Sequence, residues 1–288
     1  MPNALRGGRP LSNPHTGVAE IADRQGAGPL LEILGIAKSY GAVAALRNAN
    51  LTLHRGEVVA LVGDNGAGKS TLIKILSGSV PLDRGVIRFE GEPVEIRRPS
   101  DAVNLGIQTV YQDLALCGNL DIIDNIFLGR EPRRGLLQGW RLKRPEMERV
   151  GRKILDSMAI RITHIDVPVG ALSGGQRQCA AICRAVLGDP KVIVLDEPTA
   201  ALGVSQTQDV LTLIGRLKAQ GRGVIVISHN IPDLLRVADR IVVLRLGETI
   251  ADRAAAEWTE HSLVSAITGA ARLEQLAGRE GASEGLLR

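Results

Sequence analysis

The stretch VVALVGDNGAGKSTLIKIL, from Val58 to Leu76, sets the terms for the rest of the chain. Val58 to Val62 is a short, almost unbroken apolar run, the pattern of a strand buried in a parallel sheet. Directly after it, Gly63, Asp64, Asn65, Gly66, Ala67, Gly68, Lys69 and Ser70 fit the spacing G-x-x-x-x-G-K-[ST]. Leu72, Ile75 and Leu76 then recur at helical spacing and stop at Gly78. Strand, glycine-rich loop and helix in that order make a phosphate-binding loop. A triphosphate is a dense anion, and a helix N-terminus offers it unpaired N–H groups and a positive dipole end. Gly63, Gly66 and Gly68 let the backbone curl into an anion nest. Lys69 is placed to reach the β- and γ-phosphates, and the Ser70 hydroxyl to sit on Mg²⁺.

Composition narrows what kind of nucleotide-binding protein this is. Of 288 residues, 44% are hydrophobic and 23% charged, ordinary values for a soluble globular protein. Aromatics make up only 2%, so the core is expected to be aliphatic, and base stacking on RNA or single-stranded DNA is disfavoured. The net charge of +4 is spread along the chain, which reads as solvated surface, and no nucleic acid is expected as a partner. Cys117, Cys179 and Cys183 form neither a zinc spacing nor a C-x-x-C pair, and an odd count suits a reducing compartment. No apolar segment is long enough to span a bilayer, and the first residues lack the apolar region of a secretory signal. A cytoplasmic protein is therefore expected, with any membrane role exercised through partners.

Residues 1–28 are rich in Gly, Pro and polar residues without periodicity and are expected to be a disordered tail. From Leu30, LLEILGIA, LRNANLTL and GVIRFEG read as short strands between turn signals, an antiparallel sheet beside the phosphate-loop core. Tyr40 is expected on a loop between two of them, either as a packing aromatic or as a stacking surface for an adenine ring. From about 100 to 169 the pattern becomes that of a mostly helical insert, with Val150, Ile154, Leu155 and Met158 on one face.

A second set of signals follows. In LSGGQRQCAAICRAVLGDP, Ser173 and Gln176 have capping-box spacing, so a helix starts after Ser173. Cys179, Ile182, Cys183, Val186 and Leu187 form its apolar face, which makes both cysteines small buried residues and not ligands or nucleophiles. The end carrying Ser173, Gly174 and Gly175 is either a plain cap or a second anion site. In KVIVLDEPTAAL, Val192 to Leu195 is a buried strand that ends on Asp196 and Glu197. Carboxylates at such a strand end face the crevice where α/β folds bind ligands: Asp196 suits Mg²⁺, and Glu197 can polarise an attacking water, although an acidic pair there also serves as a helix cap. GVIVISHN repeats the plan, a strand with Ser228 and His229 at its end, and a lone histidine there has a structural reading too. IVVLRLGE is a further strand, and a short helix carrying Leu263, Val264 and Ile267 ends at Gly269.

Taken in order, GDNGAGKS, YQD, LSGGQRQ, VIVLDEP and SHN resemble the nucleotide-binding subunit of ATP-binding cassette (ABC) transporters over roughly residues 30 to 252. The resemblance implies an α/β fold: a P-loop NTPase (RecA-like) core with an antiparallel β subdomain and a helical subdomain at about 100–169. It implies an ABC ATPase domain over 29–252 and a short C-terminal helical tail over 253–288. It assigns Tyr40 to adenine stacking and Gly63, Asp64, Asn65, Gly66, Ala67, Gly68, Lys69, Ser70 and Thr71 to the phosphates. Ser173, Gly174, Gly175 and Gln176 would close on the nucleotide of another copy. Glu197 matches the catalytic base, His229 the switch histidine and Gln112 the glutamine that senses metal and water, with Ser70, Gln112 and Asp196 around the metal. ATP and Mg²⁺ are the implied cofactors.

YQDLALCGNLDIIDNIFLGRE and EPTAALG are similar to monosaccharide importers of the fructose, ribose and xylose type, and a single P-loop with a single LSGGQ resembles the single-cassette, fructose-import kind. That implies a homodimer of ATPase subunits, integral-membrane sugar permease subunits, an extracytoplasmic sugar-binding protein, and a peripheral place on the cytoplasmic face of the inner membrane. Gly203 stands where many ABC ATPases have Asp. The alternative is a soluble ABC ATPase of DNA repair or translation, a class that usually carries long coiled coils or two cassettes.

Overall fold

The computed structural model describes residues 28–133, 141–160 and 165–270. The expected N-terminal tail, except for Gly28, and the last residues of the expected C-terminal tail lie outside them. One ten-stranded sheet runs through the molecule in the order β5-β4-β1-β2-β10-β9-β3-β8-β7-β6. Its parallel half holds β3 (Val58–Val62), β6 (Ile107–Val110), β7 (Val192–Asp196), β8 (Gly223–Ile227) and β9 (Arg240–Arg245). Its antiparallel half holds β1 (Leu31–Tyr40), β2 (Val43–Leu53), β4 (Arg84–Phe89) and β5 (Glu92–Val94). The halves meet at β10 (Glu248–Ala254), antiparallel to β9 and joined to β2 by the pair Glu248 and Asn48.

The central strands carry apolar side chains on both faces, and strand alternation sorts them into two cores. Val58, Ala60 and Val62 of β3 face one core with Ile193, Leu195, Val224 and Val226; Val59 and Leu61 face the other with Val192, Val194, Ile225 and Ile227. The first core packs under α3 (Ile122–Phe127), α4 (Arg144–Ser157), α5 (Gly174–Val186) and α6 (Val204–Ala219). The second packs under α1 (Lys69–Leu76), α2 (Pro99–Leu105) and the antiparallel strands. Each fully buried Leu, Ile or Val contributes about 1.5–3 kcal/mol, so both faces hold the parallel strands rigid where their C-terminal ends carry the candidate site. Two short helices, α7 (Ile231–Val237) and α8 (Glu260–Thr268), complete the fold, and Leu263 of α8 is wholly buried in the first core.

Two expectations change. The region expected as the start of the helical insert contains α2 and β6, and β6 pairs in parallel with β7 from Ile107 opposite Val192 to Val110 opposite Leu195. Gln108 and Thr109 break the apolar run there, but an edge strand needs only Ile107 and Val110, one for each core. Tyr40 is not on a loop: it is the last residue of β1, paired with Val43 across a two-residue turn in which Gly41 takes φ 58°.

Cys179 and Cys183 are buried on the inner face of α5, as their spacing predicts. Burial pushes the Cys179 thiol up to about 11 and raises Cys183 as well. At pH 8 roughly one Cys179 side chain in a thousand is then thiolate, the reactive form. Alkylation of the native protein followed by peptide mapping should label Cys117, which is partly exposed, and leave the other two unmodified until denaturant is added. No helix among the described residues is long and apolar enough to cross a membrane.

Candidate active site

The loop from Gly63 to Gly68 is forced by its neighbours. A Cβ on Gly63 would stand 2.2 Å from the Leu244 carbonyl oxygen, so the chain can pass β9 only as glycine. Gly68, at φ 107°, begins α1 without a side-chain cap, and a Cβ there would meet Leu46 and the Ala45 carbonyl at 2.5 and 2.7 Å. The first N–H groups of α1 therefore stay open toward the loop. Asp64 shapes the turn by accepting from the backbone N–H of Asn65 at 2.7 Å through its carboxylate and from that of Ala67 at 3.0 Å through its carbonyl.

Lys69 reaches back over this loop and donates to the carbonyls of Gly63 and Asp64 at 2.6 and 3.0 Å. Burial lowers its pKa, opposed by the nearby charges of Glu197, Asp64 and Asp196. Asp196, the last residue of β7, shifts the other way: burial raises its carboxyl most, the charge of Glu197 adds to that, and Lys69 pulls it back. An ammonium held on two loop carbonyls, close to the Asp196 carboxyl that burial raises, forms a site suited to a triphosphate with a divalent cation. Ser70, exposed at the start of α1, and Asp196 are the side chains that would hold Mg²⁺, which supplies charge neutralisation between phosphate oxygens.

Glu197 follows β7 in the left-handed region at φ 50°, with its N–H donated to the Ile227 carbonyl of β8 at 2.8 Å. A non-glycine residue held there costs on the order of 1–3 kcal/mol, which β7 and β8 sustain on either side. His229, after β8, brings Nδ1 to 2.9 Å from Glu197 Oε2, but off the hydrogen-bond axis; Oε2 is shielded from solvent and has no aligned donor. The Glu197 side chain is only 16% exposed and that of His229 81%. A buried carboxylate oxygen with free acceptor capacity beside the phosphate loop has the chemistry of a proton acceptor for water.

The structure brings some predicted residues together and separates others. Glu197, Gln112 and Gly174 line one cleft with Arg177, Gln178 and Leu202. Ser173, Gly175 and Gln176 also border a separate hollow against α6, beside Gln206 and Asp209. The capping box at the head of α5 is formed: Gln176 N–H donates to Ser173 Oγ at 3.3 Å, and Ser173 N–H to Gln176 Oε1 at 3.0 Å. Tyr40 is 46% exposed at the tip of the hairpin whose second strand backs Gly68, with Lys38 Nζ 5.9 Å from its ring centroid. Sequence reading missed Asn125 and Arg184. Asn125 is wholly buried and staples the loop after Gln112, accepting from Cys117 N–H at 2.8 Å and donating to the carbonyls of Cys117, Leu120 and Asp121. Its signal was a polar residue inside the apolar run IIDNIF; Arg184 lies off the apolar stripe of α5 and gave none.

Residues 46–200 match the ABC transporter family. The chain belongs to that family. Among relatives, the xylose/arabinose import ATP-binding protein XylG of Sulfolobus acidocaldarius is 51% identical, covering 77% of this chain and 86% of the relative. The fructose import ATP-binding protein FrcA of Rhizobium meliloti is 45% identical, covering 84% of this chain and 95% of its own. Among solved structures, a nucleotide-free ATP-binding cassette from an ABC transporter superposes with TM-score 0.70 at 29% identity, over 78% of this chain and 92% of that one. A dimeric bacterial ABC transporter cassette does so with TM-score 0.65 at 25% identity, over 78% and 98%. The ten-stranded sheet is thus the α/β core of an ABC cassette, a P-loop NTPase fold, and this ABC protein is an ATPase of a transporter, not a soluble ATPase of DNA repair or translation.

Proposed function

We propose that this chain hydrolyses ATP to drive uptake of a monosaccharide through a separate membrane permease. The observation that carries the reading is the near full-length likeness to two import ATP-binding proteins whose names both specify monosaccharides. In this reading residues 29–252 are the ATPase domain, and a helical subdomain within about 100–169 faces the permease. The working unit is a homodimer on permease subunits at the cytoplasmic face of the membrane, fed by an extracytoplasmic sugar-binding protein.

The residues then divide the work. Gly63 to Thr71 cradle the phosphates, Lys69 exchanges the Gly63 and Asp64 carbonyls for phosphate oxygens, and Tyr40 stacks on the adenine. Ser70, Asp196 and Gln112 hold or sense Mg²⁺. Glu197 accepts the proton of the attacking water, and His229 touches the γ-phosphate. Ser173, Gly174, Gly175 and Gln176 complete the site of the other copy, so nucleotide contacting both surfaces favours the closed dimer over the open one. Gly203, where many relatives of the family carry Asp, leaves the start of α6 without a side-chain cap.

The test is ATP hydrolysis by the subunit reconstituted with its permease and binding protein, screened against xylose, arabinose, fructose and ribose. One of these sugars should stimulate turnover several-fold. Stimulation by a solute of another class, with all monosaccharides silent, overturns the assignment.

A further inference from the structure

The loop between β6 and α3 carries Gln112, and its next residues, Asp113, Leu114, Ala115 and Leu116, line the same cleft as Glu197. Ala115 stands in the left-handed region at φ 47°, its N–H donated to Asp113 Oδ1 at 3.2 Å. An alanine stays in that conformation only when its surroundings fix it. What fixes it comes from the last turn of α5: Arg184 Nη1 donates to the Ala115 carbonyl at 2.7 Å, and Nη2 to the Leu114 carbonyl at 2.9 Å. The guanidinium is half-buried, with Cys117 and the like-charged Arg130 around it and, among the described residues, no carboxylate among its electrostatic neighbours. Its charge is spent on two adjacent backbone carbonyls, a planar fork that lysine cannot reproduce.

We propose that Arg184 is a positioning residue for Gln112, setting the backbone from which Gln112 enters the cleft beside Glu197. Because Arg184 lies on α5, which begins after Ser173, it also ties the Gln112 loop to that helix. The inference rests on the assignment of Gln112 to the chemistry of the cleft. An arginine in the last turn of a helix can instead be a plain cap on loose carbonyls, and the experiment separates the two roles.

ATPase kinetics of the full chain are measured for Gln112→Ala, Arg184→Gln and the double variant, with Arg184→Lys as the conservative control. Displacing a group at a reacting centre by about 1 Å costs roughly 10- to 100-fold in rate, so Arg184→Gln should lower kcat by that order with KM for ATP little changed. The double variant should be no slower than Gln112→Ala, because both changes remove one function. Arg184→Lys should recover part of kcat, since an ammonium keeps the charge and one of the two bonds. Amide exchange over residues 114–117 should quicken in Arg184→Gln. Wild-type kcat in Arg184→Gln, or losses that multiply in the double variant, overturn the proposal. Wild-type kcat in Gln112→Ala alone removes the assignment of Gln112, and this role of Arg184 with it. If Arg184→Gln does not fold, Arg184→Lys carries the same cycle.

Discussion

Glu197→Gln should slow ATP hydrolysis by roughly 10²- to 10⁴-fold, the usual worth of a general base, while ATP binding survives. The amide has the size of the carboxylate, so the left-handed turn at φ 50° and the backbone bond to Ile227 are kept. What disappears is the shielded Oε2, which has no aligned donor and is the atom free to take a proton. His229 Nδ1, 2.9 Å away, also loses its anionic neighbour. The phosphate loop and Lys69 are untouched, so thermal stabilisation by ATP should match the wild type. If ATP closes two copies as proposed, unhydrolysed ATP should hold them together, and sedimentation in ATP should show a dimer that outlasts any formed by the wild type. Single-turnover hydrolysis at the wild-type rate would take the base role away from Glu197.

The strands of the core were legible because they bury both faces: VVALV, VIVLD and GVIVI are nearly unbroken apolar runs, and each is a strand over that span. The phosphate loop was legible because glycines, lysine and serine have fixed positions in it. β6 was not, since IQTV carries two polar residues and its apolar pair points to opposite cores. Tyr40 was misplaced by the glycine after it, which reads as a loop but closes a hairpin of two residues. The supports of the Gln112 loop were the least legible. Arg184 acts on backbone carbonyls, which leave no trace in a sequence, and Asn125 shows there only as a polar residue inside IIDNIF. A motif names the side chains that touch substrate, and only packing reveals the ones that aim them.

Lys69→Ala should severely weaken nucleotide binding, and its pH dependence tests the electrostatics of the site. In the free protein Lys69 holds two loop carbonyls. The loop is open enough for water to replace those bonds, so folding stability should change by about 1 kcal/mol or less. Toward ATP the loss is far larger, because the site keeps Asp64, Asp196 and Glu197 without the cation that offsets them. Truncating one side of such a charge pair costs about 2–5 kcal/mol, or roughly 30- to 5,000-fold in affinity. At an ATP concentration that stabilises the wild type by about 2.7 kcal/mol, the variant should gain about 0.9 kcal/mol or less, which calorimetry resolves as a largely lost shift in Tm. The acid side carries the second signature. Burial and Glu197 already raise the Asp196 carboxyl, and Lys69 is the neighbour that lowers it. Without Lys69 the carboxyl rises further, so as pH falls Asp196 takes up its proton earlier and is lost to the metal role proposed for it. The residual Mg²⁺-dependent stabilisation by nucleotide should therefore fade at a higher pH in Lys69→Ala than in the wild type. Coincident acid limbs in the two proteins would mean that Asp196 and Lys69 do not share one field.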